Sequence, residues 1–426
     1  MTPLTRTLLF ASLIAIGALP PLAAAAETAA KPVPSPSPSP PASSPASGPA
    51  SGPAVTLEWN ARLRHESVSD DAFARDADAT TLRLRLGLRA RLGAGWSALF
   101  EGEGVVALDD GYDSGANGRS GFPVIADPAG AELNQAWIGW RNDQASATFG
   151  RQRVVLGNQR WVGNVGWRQN EQTFDAAALQ WEPSDAVTAR YLWLDRVHRF
   201  NGDRAINVLA RERDLDSHLL DVAWVRGGPQ WGGYAYAHED RDVPTASTLT
   251  TGVRGSGQRL HDGNGWGWRA EAARQREYGN NPLGFAHDYW LLEPALTRGG
   301  VTWRAGWEHL GGDGSHALQT PLATLHAFNG WADKFVVTPA GGLEDRYLAV
   351  GGKFGHGARA GKFSWAAAWH DYRADTGGRY GSEWNASIGF PVRGPVTGLV
   401  KLADYRSDGF ARDTTKLWLQ LEWAQP

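Results

Sequence analysis

The chain has 426 residues, a formal net charge of -3 and no cysteine. The missing cysteines exclude disulfides, thiolate metal sites and an anchor acylated at an N-terminal cysteine. The balanced charge gives no sign of nucleic-acid binding.

Residues 1–26 have the form of a signal peptide. Arg6 supplies the positive start, Leu8 to Leu19 form a short apolar core, and the run from Leu22 to Ala26 offers small residues for cleavage. That core is too short to span a bilayer as a helix. Residues 27–54 are Pro, Ser and Ala with almost nothing large and apolar. They predict an extended, disordered periplasmic linker. No later segment has the length and apolarity of a transmembrane helix.

From Val55 to the end of the chain, residues 55–426, the pattern turns to period two. Leu82, Leu84, Leu86 and Leu88 alternate with Arg83, Arg85, Gly87 and Arg89. A strand puts the leucines on one face and the arginines on the other. Val301, Trp303, Ala305 and Trp307 alternate in the same way with Thr302, Arg304 and Glu308, and Leu417, Leu419, Leu421 and Trp423 with Lys416, Gln420 and Glu422. The chain carries 21 Trp, and several close the apolar faces near their ends, where aromatic girdles meet a membrane interface.

Tight connections such as Gly93-Ala94-Gly95, Gly227-Gly228-Pro229 and Gly299-Gly300 alternate with long polar ones. The long ones are Ser69 to Ala79, Asp109 to Gly130, Val154 to Asn170, Arg199 to Arg213, Gly312 to Gly342 and Ala374 to Gly381. Short turns on one rim and long loops on the other predict an all-β fold, a transmembrane antiparallel up-and-down barrel with its short turns in the periplasm. Counting segments gives about 18 strands, the first from Val55 and the last from Thr414, with the least regular one near Ser247. A barrel of that size leaves a water-filled lumen.

Arg62, Arg64, Arg83, Arg85, Arg89, Arg269 and Arg304 fall on polar strand faces, and Arg151, Arg153, Arg160 and Arg168 cluster around a loop long enough to enter the lumen. Together these eleven are the candidate pore-lining, anion-binding residues, because rings of arginine favour anions and the guanidinium fork holds carboxylates. The competing structural reading is a ladder of charges balanced by Glu58, Glu66, Glu101, Glu103, Glu271 and Glu308. No GxSxG elbow, HExxH helix or phosphate-binding loop is present, and the histidines are scattered. An enzyme is not expected, nor a catalytic residue, metal or cofactor.

Two stretches carry a family resemblance. The first runs from Leu133-Asn134-Gln135-Ala136-Trp137 through Phe149-Gly150-Arg151-Gln152 and Asn158-Gln159-Arg160-Trp161-Val162-Gly163 to Gly166-Trp167-Arg168-Gln169-Asn170-Glu171-Gln172-Thr173-Phe174-Asp175. The second is Gln319-Thr320-Pro321-Leu322-Ala323-Thr324-Leu325-His326-Ala327-Phe328-Asn329-Gly330-Trp331-Ala332-Asp333-Lys334-Phe335. They resemble the alginate export family of outer-membrane proteins. The resemblance implies a basic lumen that passes a polyuronate, with Arg151, Arg153, Arg160 and Arg168 near its constriction. The Pro/Ser linker departs from that pattern. The resulting expectation is an integral protein of the Gram-negative outer membrane, passing an anionic solute, an acidic polysaccharide such as alginate among them. A weakly selective general porin and a closed-lumen barrel enzyme or adhesin are the alternatives. The partners expected are outer-membrane lipid, the anionic solute and the barrel-assembly machinery, and no nucleic acid.

Overall fold

The computed structural model describes residues 54–355 and 362–425. The expected signal peptide and all but the last residue of the expected linker lie outside them. The first nine strands are β1 (Ala54–Asp70), β2 (Ala77–Gly93), β3 (Trp96–Ala107), β4 (Gly130–Arg141), β5 (Ala145–Gln152), β6 (Thr173–Ser184), β7 (Val187–His198), β8 (Glu212–Val225) and β9 (Gln230–His238). They continue with β10 (Thr248–His261), β11 (Asn264–Glu277), β12 (Ala286–Arg298), β13 (Val301–Leu310), β14 (Leu343–Phe354), β15 (Phe363–Arg373), β16 (Arg379–Arg393), β17 (Val396–Ser407) and β18 (Thr414–Ala424). Every strand pairs antiparallel with its neighbours in sequence, and β1 pairs with β18. The sheet is therefore a closed 18-stranded barrel with no free edge.

The period-two pattern determines which side faces where. Leu63 of β1 lies opposite Leu82 of β2, and Arg62 opposite Arg83. The leucines are exposed on the outer surface and both arginines are buried inside. This inverts a soluble sandwich, whose apolar faces meet in the middle. Here the lipid-facing surface carries leucines with Trp96, Trp181, Trp266, Trp303, Trp384 and Trp423 exposed among them. Substituting Leu84→Arg puts a charge in the middle of β2 on this face. The expected cost is about 2–4 kcal/mol, measurable by urea titration of refolding into lipid vesicles.

The short turns gather on one rim. At the β2–β3 turn Gly93, Ala94 and Gly95 all take positive φ, 88°, 49° and 82°. Glycine adopts that geometry without steric cost, which is why the tightest turn is written mostly in glycine. The strand beginning near Ser247 is present as β10 despite its broken alternation. On the opposite rim the loops are long, and two of them do not stay there.

Candidate functional site

The site is the inside of the barrel. The segment between β5 and β6, residues 153–172, and the segment between β13 and β14, residues 311–342, both fold into the lumen. Their apolar residues Val154, Leu156, Trp161, Val162, Leu318, Leu322 and Phe335 form one buried cluster with inward-facing Phe174, Leu192, Leu219, Tyr234, Tyr289, Tyr372, Tyr405 and Trp418 of the wall. Apolar residues on the inner wall are thus explained by what covers them.

The two inserts hold each other. Val162 and Leu322 form an isolated bridge, and the Gly163 amide donates to the Leu322 carbonyl at 2.9 Å. The Gln172 amide donates to the same carbonyl at 3.0 Å. Arg160 donates to Asn329 at 2.9 Å, and Arg168 to Asp333 at 3.1 Å. Val165 is buried at φ 51°, a conformation that costs a β-branched residue free energy. Its amide donates to Thr324 of the other insert at 3.1 Å, so packing between the inserts holds the strained residue in place.

Each insert is also bonded to the wall. Arg62 of β1 donates to three consecutive insert carbonyls, those of Gly166, Trp167 and Arg168, at 3.1 to 3.3 Å. Trp161 donates to Glu271 at 2.7 Å, and Gln169 to Thr81 at 2.9 Å. Asn329 donates to Glu308 at 2.7 Å and to Asp345 at 3.1 Å. The amides of Trp331 and Ala332 both donate to Glu383, at 2.5 and 2.8 Å. At a register shift between β3 and β4, Asn134 and Gln135 both turn inward and donate to Glu101. Asn134 also reaches Glu171 of the insert at 3.0 Å. A bulge is what lets two consecutive residues face one side.

At the centre Trp167 stacks on His326, with ring centroids 4.6 Å apart and planes within 7°. Lys401 of β17 places its ammonium 4.1 Å from the Trp167 ring and 3.8 Å from Trp331. Arg64 lies 4.1 Å from the Trp167 ring. Lys401 Nζ also meets His326 Nε2 at 2.6 Å, and His326 Nδ1 meets Asp333 at 2.7 Å. This is a chain of donors: ammonium to neutral imidazole, imidazole to carboxylate. Burial pushes His326 well below its ordinary pKa, with Asp333 opposing. Burial would raise Asp333, but His326, Lys416 and Arg168 hold it well below the usual carboxylate range. Glu171 is likewise held down to about 2 by Arg153 and Arg85 against the effect of burial.

The arginines singled out from sequence divide by position. Arg62 and Arg83 face Glu422. Arg64 lies 3.6 Å from Asp127. Arg85 bridges Glu103 and Glu171. Arg160 pairs with Glu308 at 3.0 Å, and Arg168 with Glu66 at 3.0 Å. These six are buried beneath or within the inserts, so their charge is spent on acids of the protein rather than on a solute. Arg89 pairs with Glu58, and Arg153 with Glu101 and Glu171, while both stay partly open to the lumen. Arg151 shares its face of β5 with Phe149, which is 63% exposed on the outer surface. It pairs there with Asp175 and donates to the Leu133 carbonyl, so it faces away from the lumen. Strand alternation dictates this: Gln152, its neighbour, is the inward residue.

The remaining two lie in a different region. Along β7 to β13, toward the short-turn rim, Arg269 and Arg304 share Glu293, at 2.7 and 3.7 Å. Tyr347 donates to the same carboxylate at 2.6 Å. Asp221 lies opposite Arg190 in the β7–β8 register, but it is taken by Arg254 at 2.7 Å and by the Tyr236 hydroxyl at 2.5 Å. Arg190 is left donating to the neutral amide of Gln180 at 2.8 Å. Glu293 thus serves two guanidinium groups, Arg254 is held by Asp221 and also lies opposite Glu271 in the β10–β11 register, and Arg190 has a neutral partner.

A family model described as alginate export matches residues 54–305, more than half of the chain. The chain belongs to the alginate export family. Its barrel is also similar to solved porins of low sequence identity. OccK9 (OpdG) of Pseudomonas aeruginosa is 15% identical with a TM-score of 0.69, over 87% of this chain and 98% of that one. OccAB2 of Acinetobacter baumannii is 13% identical with a TM-score of 0.66, over 87% and 98%. OpdK of P. aeruginosa, solved with vanillate, is 14% identical with a TM-score of 0.67, over 87% and 98%. Comparison with curated proteins found no match.

This member of the alginate export family is an outer-membrane barrel channel. Its relatives are channels, not enzymes. Sequence reasoning expected the first insert as a loop able to enter the lumen, read the second only as a long polar loop, and missed Arg190, Arg254 and Lys401. Arg190 stands in a strand whose alternation marks it as inward, whereas Arg254 stands in β10, where the alternation is broken. Lys401 has no local signal, because the aromatic rings around it come from three distant parts of the chain.

Proposed function

We propose that this channel prefers anions and passes an acidic saccharide. The observation that carries the reading is the incomplete compensation at Arg190, Arg269 and Arg304, where Arg190 has a neutral partner and one acid, Glu293, serves the other two. Partly exposed cations along a lumen lower the electrostatic barrier to a carboxylate. Their low net compensation gives selectivity, and the guanidinium fork gives a uronate something to hold. Transport needs no cofactor in this reading.

The pairing of most other lumen arginines favours a second reading, a weakly selective general porin. The two differ in a bilayer. Under a salt gradient, the reversal potential of the wild-type channel is expected to show anion preference, and acidic oligosaccharides to block the current. Substituting Arg190→Glu together with Arg304→Glu is expected to reverse or abolish that preference. An unchanged permeability ratio in the double variant would sink the assignment. A channel without anion preference or block would support the general porin.

A further inference from the structure

We propose that His309, Glu344 and Asp375 form a transition-metal site at the neck of the β13–β14 insert. His309 of β13 and Glu344 of β14 are direct cross-strand partners. Asp375 comes from the turn between β15 and β16. One ligand atom from each lies within 4.8 Å of the others. The His309 Nδ1 is buried and has no hydrogen-bond partner among the described residues. It points toward Asp375, with 3.9 Å between Nδ1 and Oδ1.

The surroundings orient each ligand. Trp290 stacks on the imidazole at 5.2 Å and 10°, fixing the ring plane. The Gly312 amide donates to Asp375 Oδ2 at 3.2 Å, leaving Oδ1 for an ion. Arg346 donates to Glu344 Oε2 at 2.8 Å, leaving Oε1. Such contacts are how outer groups hold metal ligands in place. One imidazole and two carboxylates suit Zn2+, at about 2.0–2.2 Å per ligand, with water completing a tetrahedron. An imidazole ligand disfavours the hard cations Ca2+ and Mg2+. Tetrahedral ligands at those lengths stand about 3.4 Å apart, so ligand atoms now within 4.8 Å of one another need to close in by up to about 1.4 Å.

The position gives the site a consequence. His309 stands just before the insert leaves the wall and Glu344 just after it returns. A bound ion ties both ends of the insert to the β15–β16 turn. It shortens the free neck and favours the seated insert, since binding only to that state stabilises it by mass action.

The test uses the untagged, folded barrel in detergent. Titration with Co2+ is expected to give a visible d–d band saturating near one equivalent, displaced by Zn2+ and not by Ca2+. His309→Gln and Asp375→Asn are each expected to remove it, and Asp375 lies in a turn, where a variant keeps the barrel. Heat-modifiable migration in SDS confirms that each variant is folded. No binding by wild type, or equal binding by folded variants, overturns the site. In bilayers, Zn2+ is expected to reduce opening events in wild type and not in Asp375→Asn. Binding with no change in opening events overturns the link to the insert.

Discussion

Replacing residues 320–337 by a short Gly/Ser linker is expected to raise single-channel conductance several-fold. The neck tolerates the cut. Gln319 donates to the Thr338 carbonyl at 2.9 Å, and the Thr338 amide donates back to Gln319 at 3.2 Å. The two ends are already joined, so a short linker spans them without moving β13 or β14. What is removed is the part that fills the lumen: Leu322, His326, Asn329, Trp331, Asp333 and Phe335. An 18-stranded wall freed of its contents encloses an aqueous channel. The barrel survives because its strand ladders, not the insert, close it. An unchanged conductance would mean that ions bypass this insert, and the path would have to run elsewhere.

Breaking the buried charge cluster should release the same insert without shortening it. Asp333 accepts from His326 at 2.7 Å, Lys416 at 2.9 Å and Arg168 at 3.1 Å. In Asp333→Ala three buried donors lose a shared acceptor. Removing one partner of such a set costs about 3–5 kcal/mol, because the others stay desolvated and unpaired. Asp333→Asn keeps the shape and isolates the charge. Both variants are expected to increase the frequency and length of open events, with Ala the larger effect. A silent, unaltered trace from the alanine variant would show that the cluster does not hold the insert.

Acid should act in the same direction. His326 is held below its ordinary 6.5, so the seated insert prefers the neutral ring. Its contribution is complete above 6.5 and erodes as pH falls through that value. Asp333 is also depressed, so its contribution persists until pH drops below the ordinary 3.8. Opening is therefore expected to rise first as pH falls below about 6.5. The His326→Gln variant should lose that first step and keep the later one.

The barrel was legible because alternation is a local signal repeated many times. The expected first start, Val55, lies one residue from Ala54, the irregular one, Ser247, one residue from Thr248, and the last, Thr414, is where β18 begins. The inside was less legible. Alternation identifies Arg83 as inward, but whether its charge is free depends on Glu422, at the far end of the chain. Trp418 sits between two outward leucines and is fully buried against Trp167 and His326. A tryptophan on the polar face of a barrel strand is the mark of something packed in the lumen. Spacing in sequence groups Arg151 with Arg153, yet β5 ends between them, and only Arg153 turns inward.

The seam between β1 and β18 has a kinetic consequence. Arg62 binds Glu422 through Nη2 across a separation of 360 residues, while its Nη1 holds the insert carbonyls from Gly166 to Arg168. Contacts so distant in sequence form late and slowly. Closure waits for the last strand to be made, so a chain cut before Thr414 retains two open edges. Because the same guanidinium grips the seam and the insert, zipping the cylinder shut and seating its plug become parts of one terminal folding event.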